Sequence, residues 1–267
     1  MFDYGINKDL LPREIREKVV LFDTDRSTVE FICKCKSSVI PRWKFYAYRF
    51  LRRFLDFYLL HGLFGMYEMY LLNRDHWIKL VGGHKQSLLD IGAGQGFITE
   101  NAKGLFDSIY ANELYTTLLR RLKKKGFKII KGNLEESVEH VVERFDVVSL
   151  LNIIDVCDKP ISLIKNSIKL LKEDGLLIIA DPLPFRKYVI HGGKFASEKL
   201  PFTHASWEES FALFYEEVLL PLGLEVVILT RLPYLSHSDA REGGYVYYDD
   251  MVVVCKRKGC SSSTVCC

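Results

Sequence analysis

The residues with the clearest chemical potential form the run Leu89-Asp90-Ile91-Gly92-Ala93-Gly94-Gln95-Gly96. Its glycines let the backbone turn sharply and approach a ligand with no Cβ in the way. Glu113 comes 17 residues after Gly96, where a carboxylate can accept hydrogen bonds from both hydroxyls of a ribose. Asn133 offers an amide to an adenine edge, and Leu114 and Leu134 put apolar surface beside these polar groups. A dinucleotide is the rival ligand. Asp90 argues against it, because a carboxylate next to the glycine loop repels a pyrophosphate yet suits the cationic sulfonium and ammonium of S-adenosylmethionine. The bland alternative is a turn rich in glycine with Glu113 in solvent. The expected cofactor-binding set is Asp90, Gly92, Gly94, Gly96, Glu113, Leu114, Asn133, Leu134 and Asn152.

These residues need elements to bring them together. Short apolar runs at 87–91, 108–112, 127–131, 145–151, 176–180, 224–230 and 247–255 read as strands. Helical periods fit 97–105, 114–125, 160–173 and 207–220. Strands alternating with helices of this size predict βαβ units and a mainly parallel sheet. The last two strands have no helix between them, which predicts a terminal antiparallel hairpin. The expected fold class is α/β: a Rossmann-like, class I methyltransferase sheet of seven strands, with an N-terminal helical segment. On this reading residues 1–80 form the helical segment, 81–258 the core, and 259–267 a disordered tail rich in Cys and Ser. Glu113, Asn133 and Asn152 then follow successive strands and converge on one crevice at their carboxyl ends.

Composition excludes several classes. The 267 residues are 48% hydrophobic and 27% charged, with a formal net charge of +3. That balance suits a globular chain and gives no reason to expect nucleic acid. Seven cysteines, an odd number with no zinc-finger spacing, make neither a disulfide framework nor a metal site. The early acids of the N-terminus do not fit a signal peptide, so an intracellular, cytoplasmic location is expected. Asp56, His61 and Glu68 interrupt the apolar stretch near 54–72 and argue against a spanning helix. A helix over 49–72 packed on the core is preferred, with membrane contact through it or through lipidation of Cys260, Cys266 or Cys267 as the alternative. The basic run at 120–125 ends a predicted helix and reads as a solvated face.

Beyond the glycine loop, the segments LLDIGAGQGFIT, IYANEL, FDVVSLLNIIDVCDKPISLIK, TRLPYL and YVYYDD resemble the DREV-type methyltransferase-like family, from about residue 45 to Lys256. Residues 1–44 and the tail have no counterpart on that reading, and the segment between Tyr245 and Asp249-Asp250 is one residue longer. The resemblance implies methylation of the pros nitrogen of histidine in protein or peptide substrates bearing His-x-His motifs. The acceptor would lie past the fourth strand, near Asn152, Asp155 and Asp158. Base-methylating enzymes often carry Asp/Asn-Pro-Pro-Tyr there; this chain has Asn-Ile-Ile-Asp.

A neutral imidazole is already nucleophilic, and the enzyme's task is to select the tautomer. Asp155 is expected to accept one ring N–H, Asn152 and Tyr245 to fix the ring plane, and Tyr234 to line the pocket. A second pocket would read the neighbouring histidine. Asp158, just before Lys159-Pro160, is expected to cap a helix. The competing functions are a methyltransferase for a small molecule or another protein residue, and a non-catalytic binding module with the same fold.

Overall fold

Strands covered on both faces read as near-continuous apolar runs, and 87–91 and 145–151 are mostly of that character. In the computed structural model, which describes residues 4–23, 26–55, 57–186, 190–191 and 194–259, both become central strands. The chain begins with short helices α1 (Arg13–Arg16), α2 (Arg26–Ser37), α3 (Arg42–Leu51) and α4 (Phe57–Phe64). Strand β1 (Met69–Tyr70) and helix α5 (Arg74–Val81) follow. Then come β2 (Lys85–Ile91), α6 (Phe97–Glu100), β3 (Phe106–Asn112), α7 (Thr116–Lys124), β4 (Lys128–Ile130) and β5 (Phe145–Leu151). The second half adds α8 (Pro160–Lys169), β6 (Leu171–Pro182), a small hairpin of β7 (Ile190–His191) and β8 (Lys194–Phe195), and α9 (Trp207–Phe214). It ends with the long strands β9 (Leu224–His237) and β10 (Tyr245–Arg257).

The main sheet runs β1-β9-β10-β6-β5-β2-β3-β4. Pairs among β6, β5, β2, β3 and β4 are parallel, whereas β10 is antiparallel to both β6 and β9. This is the expected class I methyltransferase order with its terminal hairpin. The strand count needs correction, from seven to eight. Met69 and Tyr70 pair antiparallel with Ser236 and Leu235, so the N-terminal segment supplies the edge strand. Two residues are too few to show a period of two, which is why no alternation marks them in the sequence.

The 49–72 stretch is likewise not one helix. It breaks into the end of α3, a turn, α4 and β1, with Gly65 and Tyr67 in left-handed conformation after α4. No helix among the described residues is long and apolar enough to cross a membrane. Cys260, Cys266 and Cys267, the other proposed membrane contact, lie outside the described residues.

Helix ends follow local chemistry. Asn73 and His76 form a reciprocal cap on α5, and Ser206 and Glu209 do the same on α9. Pro160 opens α8, but its N-cap is Lys159; Asp158 instead accepts hydrogen bonds from the Ser197 backbone N–H (2.9 Å) and hydroxyl. The helix expected at 97–105 is one turn, α6, and α9 passes at Phe214 into a wider turn over Tyr215–Leu219. The run at 120–125 does more than meet solvent. Arg121 donates to the carbonyls of Gly62 and Leu63 and so ties α7 to the end of α4.

Candidate functional site

Because β3 and β4 lie on one side of β2 and β5 and β6 on the other, the winding reverses between β2 and β5. A cleft opens there at the strand carboxyl ends, as expected for a ligand site in this topology. Its volume is about 600 Å³, within the range of small-molecule sites. Asp90, Gly92, Gly94, Glu113, Leu114, Asn133, Leu134, Asn152, Asp155 and Tyr234 all line it. Gly96 and Tyr245 do not.

The glycine loop explains part of that division. Gly92, Gly94 and Gly96 all have positive φ. A Cβ on Gly94 would meet nothing within 4 Å, because this position opens on the cleft. A Cβ on Gly96 would come within 2.8 Å of both Leu122 and Phe127. Gly96 therefore serves the packing of α7 and β4 against the loop.

At the floor, Asp90 is buried and accepts hydrogen bonds from the Thr99 and Ser149 hydroxyls. Burial pushes its carboxyl up to about 6, although both hydrogen bonds oppose the shift. At the lip, Glu113 accepts from the backbone N–H groups of Gly94 (3.1 Å), Leu114 (2.7 Å) and Tyr115 (3.4 Å). Burial raises this group too, against the pull of those same bonds.

The other half of the cleft is built at the end of β5. Asn152 has φ +56°, a conformation that suits asparagine, and it turns the chain off the strand. Its Nδ2 donates to Asp250 Oδ2 at 2.6 Å. Asp181 accepts from the Ile154 N–H (3.3 Å) and the Asp155 N–H (3.4 Å), and its carboxyl shares a hydrogen bond with that of Asp155. Asp155, Asp181 and Asp250 are all buried and near enough to act on one another electrostatically. Burial first, then the neighbouring Asp155, push Asp181 well above the usual carboxylate range. Burial also raises Asp250, against its bond from Asn152. Arg186 Nε lies 3.9 Å from Asp155 Oδ2.

The tyrosines sort by strand parity. Val246 and Tyr248 face the cleft, whereas Tyr245 packs near Phe31, Cys35, Tyr70 and Leu235. Tyr248 lies opposite Tyr234 in the β9–β10 ladder, with ring centroids 5.8 Å apart. Alternation along β10 thus turns Tyr245 away from the cleft and Tyr248 into it. The same alternation separates the two acids, because Asp249 binds Arg231 (2.8 Å to Nε) on the opposite face.

The sequence reading also missed the wall contributed by the N-terminal segment. Tyr48, Arg52, His61, Tyr67 and Met69 line the cleft, with His61 stacked on Tyr67 at 4.8 Å. Only the aromatic density of that segment hinted at it. Beyond Asp155 lies a second pocket, bounded by Phe185, Arg186 and Glu198, of about 20 Å³. That is room for a water.

A family model described as DREV methyltransferase matches residues 3–257. The match corrects the expected start near residue 45, since it takes in the N-terminal helices that wall the cleft. A malonyl-[acyl-carrier protein] O-methyltransferase of Haemophilus ducreyi is 27% identical over 143 residues, 51% of this chain and 55% of that enzyme. The chain thus spans about half the length of that curated relative. Among solved structures, the N-methyltransferase NodS of Bradyrhizobium japonicum WM9, in complex with S-adenosyl-L-homocysteine, is similar at TM-score 0.48 and 14% identity. That similarity covers 70% of this chain and 86% of NodS. A TehB-like SAM-dependent methyltransferase of Corynebacterium glutamicum gives TM-score 0.44 and 16% identity, over 79% of this chain and 95% of its own. A family match that runs through every strand of the sheet and both halves of the cleft leads to one conclusion: the chain belongs to the DREV methyltransferase family.

Proposed function

We propose that the protein transfers a methyl group from S-adenosylmethionine to the pros nitrogen of histidine in His-x-His motifs of proteins or peptides. The observation that carries this reading is the position of Asn152 and Asp155, which border the same cleft as the glycine loop, with Asn152 held by Asp250. The cleft fits the cofactor on its own terms. Gly94 opens on it without a side chain, Glu113 stands at its lip for ribose hydroxyls, and Asp90 lies at its floor. When bound, S-adenosylmethionine supplies an electrophilic methyl on a sulfonium.

The chain's own residues do the rest. Leu114 and Leu134 flank the nucleoside end, and Asn133 offers its amide to the adenine edge. Asp155 accepts the N–H of one ring nitrogen and leaves the lone pair of the other free to react. Asp250 holds the Asn152 amide, which limits its rotation beside the acceptor. Tyr234 and Tyr248 form an aromatic wall on which an imidazole can lie. The carboxyl group offsets the positive charge that the ring acquires on methylation. Positioning supplies most of the acceleration.

The test is transfer from labelled S-adenosylmethionine to a peptide containing Ala-His-Ala-His, with a His→Ala control. Label on the histidine peptide alone supports the proposal. Cofactor binding without label on either peptide would move the acceptor to another class.

A further inference from the structure

The solvent face of α3 serves no purpose in the cleft. Trp43, Tyr46 and Phe50 recur at helical spacing, and Phe54 extends their line into the turn after the helix. They are 70%, 66%, 60% and 72% exposed, unusual for four large aromatic residues in one stripe. The opposite face packs inward through Tyr48, which is buried and lines the cleft. Arg42, Arg49 and Arg53 fall along one edge of the aromatic stripe, at the same helical spacing. Among the described residues none of the three is ion-paired. Between Glu30 and Asp56 the chain has seven basic residues and no acidic one.

An apolar aromatic stripe edged by arginines matches the interface of an anionic bilayer. There the rings reach the headgroup–acyl boundary and the guanidiniums meet lipid phosphates and carboxylates. We infer that α3 and the turn after it dock the protein on membranes rich in anionic lipid. The helix then lies in the interface plane and does not cross it. Arg52 and Tyr48, on the inward side of this element, line the cleft, so docking brings the cleft wall to the membrane surface.

The test is sedimentation of the full chain with vesicles of phosphatidylcholine, alone or with about one third phosphatidylserine. Binding is expected only to the anionic vesicles, with release as salt is raised. Replacing the three arginines (R42Q/R49Q/R53Q) should weaken partitioning on the order of 100-fold, at about 1 kcal/mol per charge. W43A/F50A should weaken it as well. Wild-type fluorescence gives a second readout, because Trp77 and Trp207 are already buried and a blue shift on adding vesicles reports Trp43. No sedimentation with anionic vesicles at low salt would overturn the inference. So would undiminished binding by both variants, or capture by polyglutamate without any binding to vesicles.

Discussion

Asp90 and Asp155 both border the cleft, and their substitution should have opposite signatures. Below pH 3.8 both the folded and the unfolded chain keep the Asp90 proton. Between 3.8 and about 6 only the folded chain keeps it, so stability falls as pH rises through this window, by ~3 kcal/mol in all. Asp90→Asn should flatten that part of the pH dependence, as read from urea unfolding at about pH 4 and about pH 7. The Thr99 and Ser149 hydroxyls can rotate to suit the amide. Asp155→Ala should instead keep cofactor affinity by calorimetry and lose turnover by 100-fold or more, on the order expected for a positioned acid–base group. Wild-type activity in that variant would remove Asp155 from the mechanism. Tyr248→Phe should impair peptide methylation, and Tyr245→Phe should leave it close to wild type. Asp90, Glu113 and Asp155 were legible in the sequence because each has a fixed offset from a strand end. Asp181 and Asp250 were not, because nothing short of the folded sheet shows that β6 ends beside β5 and that β10 sets Asp250 opposite Pro182 across β6.

At the scale of elements, β2 and β5 were legible nearly to the residue because both faces are covered and each run is mostly apolar. Helices α3 and α4 were not, since aromatic and aliphatic residues continue through the turn between them and hide where a helix stops. The glycine loop shows how two similar residues can differ in what they support. Gly96→Ala combines left-handed strain with a clash against Leu122 and Phe127, and should cost roughly 3 kcal/mol of stability. Gly94→Ala incurs only the strain, about 1–2 kcal/mol, but places a methyl in the cofactor half of the cleft. Thermal melts and S-adenosylhomocysteine calorimetry on the pair should show Gly96→Ala as the larger loss of Tm. Gly94→Ala should show the larger loss of affinity, on the order of tenfold.

For the whole molecule, the N-terminal segment is part of the same packed body as the sheet. Leu11, Ile15 and Val19 are buried in one cluster with Phe214, Tyr215 and Leu229. Val19 also bridges to Leu229 alongside β9. Removing residues 1–22 should therefore cost on the order of 5 kcal/mol, as buried aliphatic side chains contribute about 2 kcal/mol each. A Tm unchanged by that deletion would show the segment to be dispensable.

The alternation in β10 has a consequence for how the chain tolerates change. Asp249 and Asp250 are adjacent, yet one grips Arg231 on one face of the sheet and the other holds Asn152 on the opposite face. A frame slip of a single position would turn each acid to the other face of the sheet and part it from its present partner. The pairing irregularity at Val254/Cys255 lies on the C-terminal side of the pair, and the turn from β9 lies on the other side. Length variation entering from the turn leaves the acids in phase with β6. Variation between the irregularity and Asp250 would part the acids from Asn152 and Arg231 and turn the buried residues Met251 to Val254 to the wrong faces as well.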